Sequence, residues 1–102
     1  MSNWKEVVAL DDIPALGSRV IRTKDQEIAL FRTSDDNVFA VHNSCPHAGG
    51  VLSEGIVHGH KVTCPLHNWV INLEDGEAQG VDEGSTACFE TKIESGVVYI
   101  NL

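Results

Sequence analysis

Cys45-Pro46-His47-Ala48-Gly49-Gly50 and Cys64-Pro65-Leu66-His67, with sixteen residues between His47 and Cys64, are the two stretches on which the reading of this 102-residue chain turns. Together they spell C-x-H-x16-C-x2-H, and each half offers one thiol and one imidazole. A lone Cys or His in a small domain is more often a core residue than a ligand. Two such pairs, each bounded by Pro or Gly, do not arise from packing alone, so Cys45, His47, Cys64 and His67 are read as a metal or cluster site. The order Cys, His, Cys, His departs from an ordinary zinc finger. That motif places both Cys first and both His last, on a strand pair followed by a helix.

An even division between soft sulfur and borderline nitrogen suits a 2Fe-2S cluster in which two Cys hold one iron and two His the other. A closed Cys2His2 zinc tetrahedron is chemically allowed and stays open as an alternative. C-P-H-A-G-G with C-P-L-H resembles a Rieske domain. The continuation His67-Asn68-Trp69-Val70-Ile71-Asn72-Leu73-Glu74-Asp75-Gly76-Glu77-Ala78, with Asp82-Glu83-Gly84 after it, is similar to the small subunit of assimilatory NAD(P)H-dependent nitrite reductase. This likeness runs from about Trp4 to the C-terminus.

Size and charge set bounds on partners. One domain is expected from 102 residues, small enough that a bound cluster adds materially to stability. Seven basic against fifteen acidic residues give a net charge of -8. Such a field disfavours nucleic acid and anionic membrane and favours a partner with a basic docking surface; it also simply keeps a protein soluble. Three cysteines are an odd number. With Cys45 and Cys64 assigned, Cys88 has no partner, which argues against a disulfide framework or a disulfide-linked partner and for a reducing, cytoplasmic compartment. Met1 to Glu6 have neither a basic nor an apolar leader region, and no apolar run is long enough for a bilayer.

Short β-rich runs separated by turn residues predict an all-β domain of antiparallel strands. Trp4–Leu10 reads as a first strand ended by Asp11-Asp12-Ile13-Pro14, since proline has no N–H to donate. Ser18–Thr23 and Gln26–Thr33 follow around Lys24-Asp25, with Ile28 and Leu30 on one face and Ala29 and Phe31 on the other. Ser34-Asp35-Asp36-Asn37 turns the chain into Val38–His42. Asn43–Glu54 is expected as loop. Gly55–His58 and His60–Thr63 pair across Gly59, and Trp69–Leu73 and Glu77–Gln79 pair around Asp75-Gly76. Gly80–Ser85 is a further loop. Ala87–Glu94 and Val97–Asn101 close the chain around Ser95-Gly96, with Cys88, Glu90, Lys92 and Glu94 on the more polar face. The expected architecture is a Rieske-type fold. A sandwich or barrel-like base of about 1–43 and 80–102 carries a small cluster-binding hairpin subdomain of about 44–79.

The resemblance implies that Cys45 and Cys64 hold the buried iron, where thiolate donation stabilises the ferric state, and that His47 and His67 hold the outer one. Counting two ferric ions, two sulfides and two thiolates, the centre goes from neutral to -1 on reduction. Exposed imidazoles would then be the short route for the electron and a place for redox-linked proton loss. Pro46 and Pro65 hold the preceding cysteines extended and stiffen the loops. Gly49 and Gly50 allow a close backbone approach, or form an ordinary turn. High-potential members of the family carry an extra Cys at the positions of Gly50 and Leu66, so their loop-to-loop disulfide is impossible here. They also carry Ser and Tyr hydroxyls where this chain has Trp69 and Ile71. A low potential is expected, near the bottom of the range of roughly -150 to +300 mV. Val81 stands where the family often has proline. His42, His58 and His60 read as surface or turn residues, Trp69 as packing, and Cys88 as an inert thiol.

By resemblance, the chain is the electron-transfer subunit of a nitrite reductase that reduces nitrite to ammonia. Its large catalytic subunit would hold FAD, a 4Fe-4S cluster and sirohaem and take electrons from NAD(P)H. The chain itself has no nucleotide fingerprint and no catalytic residue of its own. The alternatives are a Rieske ferredoxin serving an aromatic-ring dioxygenase and a zinc-stapled interaction module without redox function.

Overall fold

Four consecutive apolar residues, Ile28-Ala29-Leu30-Phe31, are all fully buried. A strand does this only when both of its faces are covered. The computed structural model, which describes residues 4–23, 26–44, 51–65, 69–78 and 84–101, shows why. β1 (Trp4–Ala9), β2 (Ser18–Arg22), β3 (Glu27–Arg32), β4 (Val38–His42) and β5 (Ile56–His58) occupy the first half of the chain. β6 (Lys61–Thr63), β7 (Val70–Asn72), β8 (Cys88–Phe89), β9 (Thr91–Glu94) and β10 (Val97–Asn101) follow. They form three antiparallel sheets with orders β1-β10-β9, β2-β3-β4-β8 and β5-β6-β7. The fold is all-β, as expected, and no helix among the described residues is long and apolar enough to cross a membrane.

The alternation in β3 and β4 sends successive side chains into two separate cores. Ile28, Leu30, Val38 and Ala40 pack with Ile13, Val98 and Ile100 against the β1-β10-β9 sheet. Ala29, Phe31 and Val41 pack on the opposite face with Leu52, Val57, Val62, Cys64, Ile71 and Leu73, beneath the β5-β6-β7 sheet. The β2-β3-β4-β8 sheet is therefore shared by two cores, and each fully buried Ile, Leu or Phe contributes roughly 2 to 3 kcal/mol.

Local sequence explains the turns. Ser95 and Gly96 have φ of 51° and 75°, the two positive values that a two-residue hairpin loop between the paired Glu94 and Val97 requires. In the turn from β3 to β4, the Thr33 N–H donates to the Asn37 carbonyl at 2.9 Å, and the Thr33 hydroxyl donates to the Asp35 carboxylate.

Three expectations need correction. The first strand stops at Ala9, because Leu10–Asp12 turn into a 3-10 helix whose end is tied by the Ile13 N–H to the Leu10 carbonyl. The single strand expected over Ala87–Glu94 is two. β8 pairs with β4 and β9 pairs with β10, so the chain changes sheet at Glu90. The pull is tertiary: the Thr91 hydroxyl donates to the Val38 carbonyl at 2.6 Å, and the Asn101 N–H reaches the Glu90 carbonyl at 3.0 Å. Lys92 lies on the polar face as expected, its Nζ 3.4 Å from Glu94 Oε1 and over the rings of Trp4 and Tyr99, at 4.7 and 5.5 Å from their centroids. Finally, the strand expected from Glu77 is reduced to isolated bridges, Ile71 with Ala78 and Glu77 with Ser85, and Gln79 lies outside the described residues.

Candidate metal centre

Cys64 follows the last residue of β6, and its side chain is fully buried among Phe31, Leu52, Val62 and their neighbours. Its backbone N–H donates to the Trp69 carbonyl at 2.6 Å, one step beyond the Thr63–Val70 pair of β6 and β7. The ladder of this hairpin thus continues across Cys64 and Trp69, and His67 is one of the four residues between them in the sequence. Trp69 is half-buried against the same core, in agreement with a packing role. Pro65 is exposed.

Cys45, Pro46, His47, Gly49, Gly50, Leu66, His67 and Val81 lie outside the described residues. Among the described residues no group of three or more His, Cys, Asp or Glu side chains forms a metal site. Two thiolates with two imidazoles are the complement that a mixed-ligand 2Fe-2S cluster takes. Cys64 Sγ is shut off from water, as the thiolate ligand of an iron facing the protein should be. The residues fit the group.

The two ends of the Cys45–Gly50 stretch are described and are held firmly. On the leading side, the Asn43 N–H donates to the Glu27 carbonyl at 3.0 Å and the Ser44 N–H to the His42 carbonyl at 2.8 Å. On the trailing side, Leu52–Glu54 make a 3-10 turn with Leu52 fully buried. The two sides meet where the Asn43 Oδ1 accepts the Ser53 N–H at 2.8 Å. From β2, the Ser18 hydroxyl donates to the Ser53 carbonyl at 2.8 Å. Sequence reasoning placed Asn43 to Glu54 in a loop and missed Asn43. Its signal was a polar residue directly after an alternating strand, which gives no warning of burial.

The other histidines divide. His58 is exposed, with Nε2 at 2.7 Å from the Thr63 hydroxyl. His60 sits in the β5–β6 turn with Nε2 at 2.9 Å from Asp35 Oδ2 and Nδ1 at 3.6 Å from Glu74 Oε1. Its ring lies tilted against Phe39, with centroids 5.0 Å apart. The hydrogen bond that the His60 ring donates to Asp35 raises the His60 pKa. Asp35 is held down to about 2, first by the Thr33 hydroxyl and then by His60. His42 is not a turn residue: it ends β4, half-buried, with its Nδ1 buried and unpartnered among the described residues.

Cys88 behaves as expected of an inert thiol. Its residue is exposed, yet Sγ lies 4.0 Å from the carbonyls of Leu73 and Thr86. Burial of the thiol, then the charge of Asp75, raises its pKa, so the reactive thiolate is disfavoured.

Comparison with known proteins adds to this geometry. Residues 3–101 match the Rieske-like 2Fe-2S domain. The chain is 33% identical over 107 residues to the small subunit of nitrite reductase (NADH) of Escherichia coli strain K12, covering 98% of each. It is 32% identical over 76 residues to the ferredoxin component of the naphthalene 1,2-dioxygenase/salicylate 5-hydroxylase systems of a Ralstonia species, covering 74% of this chain and 72% of that one. It superimposes with a TM-score of 0.84 and 25% identity on a chain in the solved complex of reduced oxygenase and oxidized ferredoxin in carbazole 1,9a-dioxygenase, covering 99% of this chain and 94% of the other. Against the cholesterol 7-desaturase of Hemicentrotus pulcherrimus, 29% identical over 98 residues, the chain spans 21% of the relative's length.

Proposed function

The chain belongs to the Rieske-like 2Fe-2S domain family, which makes it a Rieske-type electron-transfer domain, and from that premise we propose that it is the small subunit of an NAD(P)H-dependent nitrite reductase. The observation that carries this reading is the end-to-end match to the Escherichia coli small subunit, 98% of both chains. In it Cys45 and Cys64 hold one iron and His47 and His67 the other. The cluster-binding part is about residues 44–79, on a base of about 1–43 and 80–102. The partner is a large catalytic subunit with FAD, a 4Fe-4S cluster and sirohaem, and the complex works in the cytoplasm.

The chemistry supplied by a bound 2Fe-2S cluster is one-electron transfer. The protein's own part is to hold its ligands still. Cys64 is fixed by the β6–β7 ladder and the surrounding core, so the thiolate does not need to reorganise when charge arrives. Ile71 and Trp69 have no hydroxyl to offer the sulfurs. A reduced, more negative centre is then less stabilised, and a midpoint near -150 mV is expected; a value near +300 mV contradicts it. The acidic chain, at -8, fits a partner with a basic contact surface.

The test is partner exchange. Purified with its large subunit, the chain should restore NAD(P)H-dependent nitrite reduction that the large subunit lacks alone. A second reading, a ferredoxin for an aromatic-ring oxygenase, is favoured by the Ralstonia relative and the oxygenase complex. Reduction of an oxygenase terminal component, with no effect on nitrite turnover, would replace the first reading by the second.

A further inference from the structure

Asn43 stands out among the polar side chains because it is buried, 7% exposed, and uses its groups on partners far apart in the chain. Its Oδ1 accepts the Ser53 N–H at 2.8 Å, its Nδ2 donates to Glu27 Oε1 at 3.3 Å, and its own N–H donates to the Glu27 carbonyl at 3.0 Å. Ser53 is held by both of its backbone groups, the N–H by Asn43 and the carbonyl by Ser18. Beneath it, the Leu52 side chain is locked in the core. The described residues on either side of positions 45–50, the stretch that carries Cys45 and His47, are therefore joined by one buried carboxamide. Without that tie its closure entropy would be lost when metal binds rather than when the chain folds.

We propose that Asn43 is a positioning residue for the redox centre: by bridging β3 to Ser53 it fixes the spacing of the two ends of the Cys45–His47 stretch and so sets ligand geometry and cluster retention. The proposal rests on reading Cys45 and His47 as ligands. A group that orients ligands without touching metal acts through the strength and shape of the coordination. Removing it should change the centre, not merely the stability of the fold. Thr91 supplies a matched control: its hydroxyl also makes a partly buried bond to a distant carbonyl, that of Val38, but between the other pair of sheets.

The experiment compares wild type, Asn43→Ala and Thr91→Val, each purified with its cluster. Readouts are iron and acid-labile sulfide, the EPR spectrum of the reduced protein, the rate of cluster loss to a chelator, and Tm. Both variants should lower Tm. Only Asn43→Ala should alter the EPR anisotropy and speed cluster loss, by about tenfold. The pair Asn43→Asp with Glu27→Gln keeps an acceptor for Ser53 and reverses the bond between positions 43 and 27, and should restore the wild-type spectrum. If Asn43→Ala does not fold, Ser18→Ala, which frees the Ser53 carbonyl alone, should move the same readouts less far. A wild-type spectrum and loss rate in Asn43→Ala, or in Ser18→Ala where that variant stands in, would overturn the proposal. Wild-type protein without iron and sulfide would overturn the ligand reading beneath it.

Discussion

The two stretches that carry the proposed ligands are rooted in the fold by different means. The root of the second includes main chain: Cys64 and Trp69 extend the β6–β7 ladder with a 2.6 Å bond. The root of the first is side chain: Asn43 and Ser18 grip Ser53, and Leu52 plugs the core below. A main-chain root tolerates changes of residue type and fails only where the backbone needs room or a ligand is lost. A side-chain root depends on particular residues and can be weakened one bond at a time. The same division predicts which substitutions abolish the centre and which tune it.

The largest expected effect is at the main-chain root itself. Cys64→Ser should remove the cluster completely, read as iron and acid-labile sulfide in the purified protein, whereas Cys88→Ser should leave both unchanged. Retention of the cluster in Cys64→Ser would break the assignment of this root. Next is Gly55, where the two roots approach each other. A Cβ there would collide with the Thr63 carbonyl and lie 2.9 Å from Val62 Cγ2 and 3.1 Å from the Leu52 carbonyl. Gly55→Ala should cost about 3 kcal/mol, measured from urea midpoints; a loss within 0.5 kcal/mol, the scatter of ordinary surface changes, would show that the roots are not in such close contact.

The smallest effect comes from a third tie, ionic and at the surface, in which His60 of the β5–β6 turn joins Asp35 of the β3–β4 turn and Glu74. His60 has a raised pKa, so its contribution is complete below its ordinary 6.5 and is lost as pH climbs through the raised value. Asp35 has a lowered pKa, so its contribution is complete above its ordinary 3.8 and is lost as pH falls toward about 2. The Tm difference between wild type and His60→Gln should therefore be greatest between these two ordinary values and shrink as pH rises beyond them. A difference that is flat with pH would mean that His60 acts by its contact with Phe39 alone.

The same contrast explains what was legible in the sequence. Main-chain features follow from local patterns. The hairpins around Ser95-Gly96 and Gly59, the turn at Ser34–Asn37, and the opposed faces of Ile28 and Leu30 against Ala29 and Phe31 were all readable from turn residues and period-two alternation. Features fixed by distant side chains were not. Nothing in the even alternation of Ala87–Glu94 announces a change of sheet at Glu90, because the deciding bonds go to Val38 and Asn101. Asn43 looked like an ordinary loop residue because its partners are 10 and 16 positions away. At the candidate site the Cys-x-His and Cys-x2-His spacing is the signal for the proposed ligands, of which Cys64 is described and fully buried. The device that holds the ends of the first stretch was hidden.

In the function proposed above, two sulfurs and two imidazoles from these differently rooted stretches share one pair of irons. The most direct measurement is EPR of the dithionite-reduced protein alongside iron, sulfide and zinc analysis. A rhombic signal with two irons and two acid-labile sulfides per chain is expected. A colourless, EPR-silent protein carrying one zinc per chain would contradict it.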